Sequence, residues 1–325
     1  MARSWGLGIR FLISLGCIAL LLWWLVDPRQ AWQAISGARW DYLALTALWL
    51  FLDRVVMAYK WRLLLLCRDV PVGFGESVSS YLLATFAGYF LPSTVGADAM
   101  RIAVLSRPDR PSEMVAASVV MERSLGFLAA ALAGLVSLVL LVGLAASLPG
   151  RVLAWAVGLL LVVAVVMGVS LYGPLGRWLE GLPARLENRG RLVRWLGRFL
   201  AAYTLYRHHP GTLAYFTFLS FLEQIAPVVA VWLAGLAMHM QISFLQSLAV
   251  VPVANLFARV PIAVSTLGVV ESLYVAFFAL VGVDATSAFM VGLVMSLAVM
   301  VTSLPGALVY LVTMRRPGGG EGGTS

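Results

Sequence analysis

The chain is poor in charge, lysine, cysteine and histidine. Only 12% of its 325 residues are charged, while 61% are hydrophobic. Soluble domains keep about a quarter of their residues charged, so a soluble class is excluded and an all-α polytopic membrane protein is expected. Lysine occurs once, at Lys60, so the basic residues are otherwise arginine. The two cysteines, Cys17 and Cys67, lack metal or redox spacing and read as small buried residues. The histidines, His208, His209 and His239, show no ligand spacing. A Walker sequence and a nucleophile elbow are also missing. Nothing therefore reads as an active site, and no enzyme, cofactor or metal role is expected. The net charge of +8 reflects arginines between apolar runs, the pattern that sets membrane topology, so no nucleic acid partner is expected.

What is present is long apolar runs. Six can cross a bilayer: about 7–26, 42–65, 117–148, 152–173, 212–238 and 286–313. Arg3 and Arg10 precede the first run as they would in a signal peptide, but no A-x-A site follows, so a retained span is expected. Two more apolar stretches, 74–105 and 243–282, are broken in the middle, within "FLPSTVGADAMR" (Phe90 to Arg101) and "VPIAVSTLGVVES" (Val260 to Ser272). Each half is too short to cross, and non-helical backbone at membrane depth must be buried in protein or line a wet cavity. Both stretches are therefore expected to be re-entrant helical hairpins.

Arginine placement orients this plan. Arg3 and Arg10 put the N-terminus in the cytoplasm, and Lys60, Arg62 and Arg68 end the second span on that side. Loop 174–211 carries seven arginines against two glutamates, and Arg315 and Arg316 follow the last span. Both termini and this loop are expected in the cytoplasm. Each half, 1–148 and 149–314, then holds three spans and one hairpin, with 315–325 a flexible tail. Three is odd, so the halves form an inverted repeat, a common transporter plan. Ser93-Thr94-Val95-Gly96 and Ser265-Thr266-Leu267-Gly268 stand 172 positions apart (265 − 93 = 172).

The chemistry gathers at the breaks. Ser93, Thr94, Ser265 and Thr266 are good helix N-caps, and Gly96 and Gly268 admit close approach of a backbone or headgroup. Two helix N-termini facing one cavity would favour an anion. Ionisable residues at membrane depth are costly and need a partner or a wet cavity. They are Asp53, Arg54, Asp98, Arg101, Glu122, Arg123, Glu223, Arg259 and Glu271. Asp98 and Arg101, three apart, can pair on one helix face. Glu122 and Arg123 point apart, so each needs another partner. Arg259 precedes a break and can either cap helix carbonyls or clamp a phosphate. Asp53 and Arg54 lie nearer an interface and read as structural. In loop 174–211, Trp178 and Trp195 among arginines suggest an amphipathic surface helix, or else a plain topology signal.

These motifs resemble those of the lysylphosphatidylglycerol synthase membrane family, also called the flippase-like domain. Its P-x-x-x-G-G-D-x-x-R element maps to Pro92, Gly96, Asp98 and Arg101, with Ala97 in place of the second glycine. Its E-R pair maps to Glu122 and Arg123, and a later element to Pro261, Ser265, Gly268 and Glu271. The resemblance implies movement of a polar-headed lipid between leaflets without ATP. The lipid-aminoacylating members add a soluble domain, which is not expected here, so synthase activity is not carried over. The expected partner is a phospholipid or polyprenyl-phosphate-linked lipid in a bacterial-type inner membrane, with self-association left open. Its headgroup would meet Arg101, Arg123 and Arg259, with Asp98, Glu122, Glu223 and Glu271 orienting them, binding a cationic group or carrying a proton. Rival readings are a membrane-embedded glycosyl transferase acting on lipid or polyprenyl phosphate, and an accessory subunit of a lipid-modifying enzyme.

Overall fold

The computed structural model describes residues 36–88, 94–144, 190–259 and 268–314, with scattered positions between 154 and 169. The expected span at 7–26, more than half of that at 152–173 and the tail 315–325 lie outside the described residues. Within them the fold is helical, and an isolated bridge between Arg107 and Arg110 is the only β pairing.

Helix α1, Trp40–Leu66, contains neither glycine nor proline and runs 27 residues. Its exposed Leu45, Leu48, Leu52, Val56 and Tyr59 recur at helical spacing as a lipid-facing stripe. The first broken stretch forms α2, Phe74–Gly88, and α3, Thr94–Leu105. Helix α4, Ser112–Leu144, is buried over half of its apolar window, against 22% for α1. Then come α5, Arg191–Thr204, a 3₁₀ turn, Leu205–His208, and α6, Pro210–Glu223. Helix α7, Ile225–Ala237, continues from α6.

The run expected as one span at 212–238 is thus interrupted at Gln224. Pro227 explains the interruption: without an N–H, it leaves the Glu223 carbonyl without its usual donor. The second broken stretch forms α8, Phe244–Ala258, and α9, Val269–Ala279. Ser243 starts α8 with a capping box: its hydroxyl accepts from the Gln246 N–H at 3.1 Å, and the Gln246 side chain accepts from the Ser243 N–H at 2.8 Å. Helix α10, Ala285–Met314, follows Asp284, whose carboxylate accepts from the Ser287 N–H at 2.9 Å.

Four candidate spans are long and apolar enough to cross a membrane: α1, α4, α6 with α7, and Ala285–Val309 of α10. The protein is a multi-pass membrane protein. The expected N-cap at Ser265 or Thr266 is not where α9 begins. Its N-cap is Gly268, at φ 89°, a left-handed conformation suited to glycine.

The packing repeats between halves. The limbs α2 and α3 pack together, as do α8 and α9. Helix α2 lies on α10 and α8 lies on α4, while α1 packs against α7. A methyl at Gly134 of α4 would sit 2.8 Å from Leu256 Cδ2 of α8, and one at Gly306 of α10 would collide with the Leu82 carbonyl of α2. These glycines are also 172 apart (306 − 134 = 172).

Candidate functional site

Four charged residues of α3 and α4 form one chain. Arg101, only 4% exposed, donates from Nη1 to Glu122 Oε2 at 2.6 Å and from Nη2 to Asp98 Oδ1 at 2.8 Å. Asp98 in turn accepts from Arg123, Nε to Oδ2 at 2.9 Å and Nη2 to Oδ1 at 3.0 Å. The order is Glu122, Arg101, Asp98, Arg123, with alternating sign and no net charge. The expected Asp98–Arg101 pair forms. Glu122 and Arg123 do point apart on α4, yet both find partners on α3.

Aromatic faces fix the middle of this chain. The Arg101 guanidinium lies 4.9 Å from the Trp61 ring centroid and 4.7 Å from that of Tyr81. Such stacking suits a planar guanidinium. Tyr81 also donates its hydroxyl to Glu122 Oε1 at 3.3 Å, and the Trp61 indole N–H donates to Ser118 at 3.0 Å. Trp61 and Tyr81 were not singled out in the sequence, where each looks like one more apolar residue of a membrane helix. Gly88 leaves room for Ala97, the residue in place of the family's second glycine: a methyl at Gly88 would lie 3.1 Å from Ala97 Cβ.

The chain opens at Arg123, whose side chain is 47% exposed. Arg259 faces the same region. It is exposed, has no carboxylate within ion-pair distance among the described residues, and feels the charge of Arg123. Arg259 is the C-cap residue of α8, but its side chain reaches α4: Nη1 is 3.5 Å from the Gly126 carbonyl and the guanidinium is 5.7 Å from the Phe127 ring. Arg259, without a carboxylate partner among the described residues, therefore adds one cation at the Arg123 end of a chain that is itself neutral.

Glu223 stands elsewhere. It forms an ion pair with Lys60, which also donates to Ser220 Oγ at 3.0 Å. Lys60 reads in the sequence as part of an exposed cationic end, but it is 4% exposed. Its next charged neighbours include Glu122 and Asp53. Asp53 lies 3.4 Å from Arg54.

Glu271 does not join the arginines. It is 2% exposed, accepting from the Gly268 N–H at 2.7 Å and from the Ser296 hydroxyl at 2.6 Å. It thereby occupies the first free N–H of α9, which the sequence reading offers to an external anion. Gly292 lets α10 approach: a methyl there would lie 3.1 Å from Glu271 Cα. Ser93, Ser265 and Thr266 lie outside the described residues, and of Thr94 the backbone alone is described, as the first residue of α3. Gly96 sits in the first turn of α3, two residues before Asp98 and five before Arg101.

No curated protein and no solved structure matches the chain. Residues 9–306 match the lysylphosphatidylglycerol synthase TM region, so the chain belongs to that membrane family.

Proposed function

We propose that this protein moves a polar-headed, phosphate-bearing lipid between the leaflets of a bacterial-type cytoplasmic membrane without ATP. The observation that carries the reading is the surplus of cation at the open end of the buried charge chain. Arg123 and Arg259 present guanidinium groups to one region, and a phosphate is the anion that suits their forked donors. Arg101 holds the scaffold: gripped by Trp61 and Tyr81, it fixes Asp98, and Asp98 aims Arg123. The N-terminus of α3, with Ser93, Thr94 and Gly96, adds the positive end of a helix. Glu223 and Lys60 keep the α6–α7 break next to this cluster. In this reading Glu271 and Gly268 close the start of α9.

The paired packing of α2 on α10 and α8 on α4, with glycines 172 residues apart (306 − 134 = 172), supports an inverted repeat with two re-entrant hairpins and six spans. Both termini and loop 174–211 are then cytoplasmic, by the arginine census. In liposomes, the purified protein should move a labelled phospholipid between leaflets with no nucleotide or sugar donor, and Asp98→Asn should slow it. Product formed from a nucleotide sugar, and lost in the same variant, would replace this reading with a transferase. For topology, cysteines introduced at 150 and 284 should react with an impermeant thiol reagent from outside, and one at 190 should not. Burial pushes the Cys67 thiol up to about 11, so it stays quiet in this assay at neutral pH.

A further inference from the structure

Helix α5, Arg191–Thr204, is not used by the charge chain. Its 14 residues extend about 21 Å, too short to cross a bilayer. It is nevertheless sharply two-faced. Leu192, Leu196, Phe199 and Tyr203 follow one another at helical spacing along one side. Arg191, Arg194 and Arg198 follow at similar spacing on the other.

The C-terminal half of this apolar stripe is covered. Phe199 and Tyr203 pack into the cluster of Leu64, Ala117, Met121 and Phe216. The N-terminal half is bare: Leu192 is 76% exposed, Leu196 45% and Val193 39%. The helix is anchored to the start of the α4 span, where the Trp195 indole N–H donates to Ser112 at 2.9 Å and Arg198 Nη1 bonds Glu113 at 3.1 Å. It therefore lies at the level where a span leaves the membrane. The same end of the bundle carries Arg62 and Arg68 at the end of α1 and Arg107 and Arg110 before α4. Arg194 is exposed and has no carboxylate within ion-pair distance among the described residues.

We propose that α5 docks on an anionic lipid surface, with Leu192, Val193 and Leu196 entering the acyl chains and Arg194 and Arg198 reaching the headgroup phosphates. Apolar side chains flanked by long basic ones are what a membrane interface selects, because the guanidinium can snorkel while its stem stays in hydrocarbon. A water-facing helix would gain nothing from three exposed aliphatic residues. A neutral surface would gain nothing from the arginines. This surface is separate from the charge chain, so it stands whether or not that chain handles a transported lipid.

The test uses the full-length protein in nanodiscs of phosphatidylcholine, alone or mixed with phosphatidylglycerol. In a Cys17→Ser, Cys67→Ser background, a spin label is placed by Leu192→Cys or Leu196→Cys. In mixed discs both labels should be relaxed by oxygen and shielded from an aqueous nickel chelate. Native mass spectrometry of the protein released from mixed discs should show Arg194→Glu retaining about fivefold less phosphatidylglycerol, relative to phosphatidylcholine, than the parent. Arg194→Lys should retain it normally, which separates charge loss from misfolding. Nickel access at 192 and 196 would overturn the proposal. So would shielding from both relaxants, which would mean a protein cover. Unchanged phosphatidylglycerol retention in Arg194→Glu would overturn it as well.

Discussion

At the first break, α3 carries Asp98 and Arg101 one turn apart, and both are bound to charged residues of α4. At the second, α9 carries one carboxylate, Glu271, bound to a backbone N–H of its own helix and a serine of α10. The bases of the two pairs differ in the same way. Glu76 of α2 bonds Arg110 at 2.7 Å, just beyond the end of α3. Gln246 of α8 donates to the Val281 carbonyl at 3.0 Å, just beyond the end of α9. Two helix pairs with matching packing thus hold unlike chemistry. A buried cation demands a buried anion, and each added pair brings a desolvation cost that only good geometry repays. The first pair, with α4, carries that cost in four residues, while the second buries a single carboxylate and meets it with neutral donors. Such expense is expected where charge is used, which is why the proposed site is centred on the first pair. The charge contributed by the second pair, Arg259, ends on α4 beside Arg123.

The largest expected effect is at Arg101. Arg101→Met leaves Glu122 with the Tyr81 hydroxyl alone and Asp98 with Arg123 alone, and should lower stability by about 3–5 kcal/mol. Glu271→Gln keeps an acceptor for Gly268 and should cost about 1 kcal/mol. Thermal unfolding in one detergent compares the two. Equal losses would erase the contrast between the breaks.

Next come the paired glycines. Gly306→Ala drives a methyl into the backbone carbonyl of Leu82 and should cost about 1–3 kcal/mol. Gly134→Ala meets the movable end of the Leu256 side chain and should cost under about 1 kcal/mol. The reverse order in unfolding midpoints would show that α8, not α2, is the more tightly seated limb.

Smaller still are the single hydroxyls. Ser296→Ala removes one of two donors to Glu271 and should cost about 1 kcal/mol. Tyr81→Phe removes the weaker donor to Glu122, which keeps Arg101, and the ring still covers that arginine. Its loss should be a few tenths of a kcal/mol, roughly a third of the other. A larger loss for Tyr81→Phe would mean that the hydroxyl, rather than the ring, holds the charge chain in place.

The sequence revealed what local spacing controls. The membrane class, the helices flanking each break and the Asp98–Arg101 pair all follow from runs and from an i, i+3 spacing. Partners chosen by tertiary packing were hidden. Glu122 lies 21 residues from Arg101, and Lys60 meets Ser220 across 160 residues. That Lys60 is buried against Glu223 was hidden for the same reason, since the two residues lie far apart in the chain. The bond of Glu271 to its own helix N-terminus was hidden too, because it forms where Gly268 adopts positive φ. The roles of Gly134 and Gly306 come from α8 and α2 resting on them, a tertiary contact with no local signature.

Arg259 of α8 reaches α4 near Arg123, and the smallest change there is the most telling. Its side chain makes one long contact with the Gly126 carbonyl, at 3.5 Å, and no ion pair among the described residues. As a cap it would be worth about 0.3–1 kcal/mol, and lysine would serve nearly as well. The side chain, however, leaves the carbonyls of α8 and turns to α4, which argues against capping. Arg259→Lys should therefore unfold within about 0.5 kcal/mol of the parent, since no buried anion loses its partner. Its lipid movement should nevertheless fall about tenfold or more, because a point charge cannot reproduce two parallel bonds to a phosphate. Arg123→Lys makes the control on the first side. It breaks the paired bonds to Asp98, so it should lose stability and transport together. Normal transport by Arg259→Lys would return Arg259 to a structural role and leave the anion to Arg123 alone. The second break would then contribute packing and no chemistry.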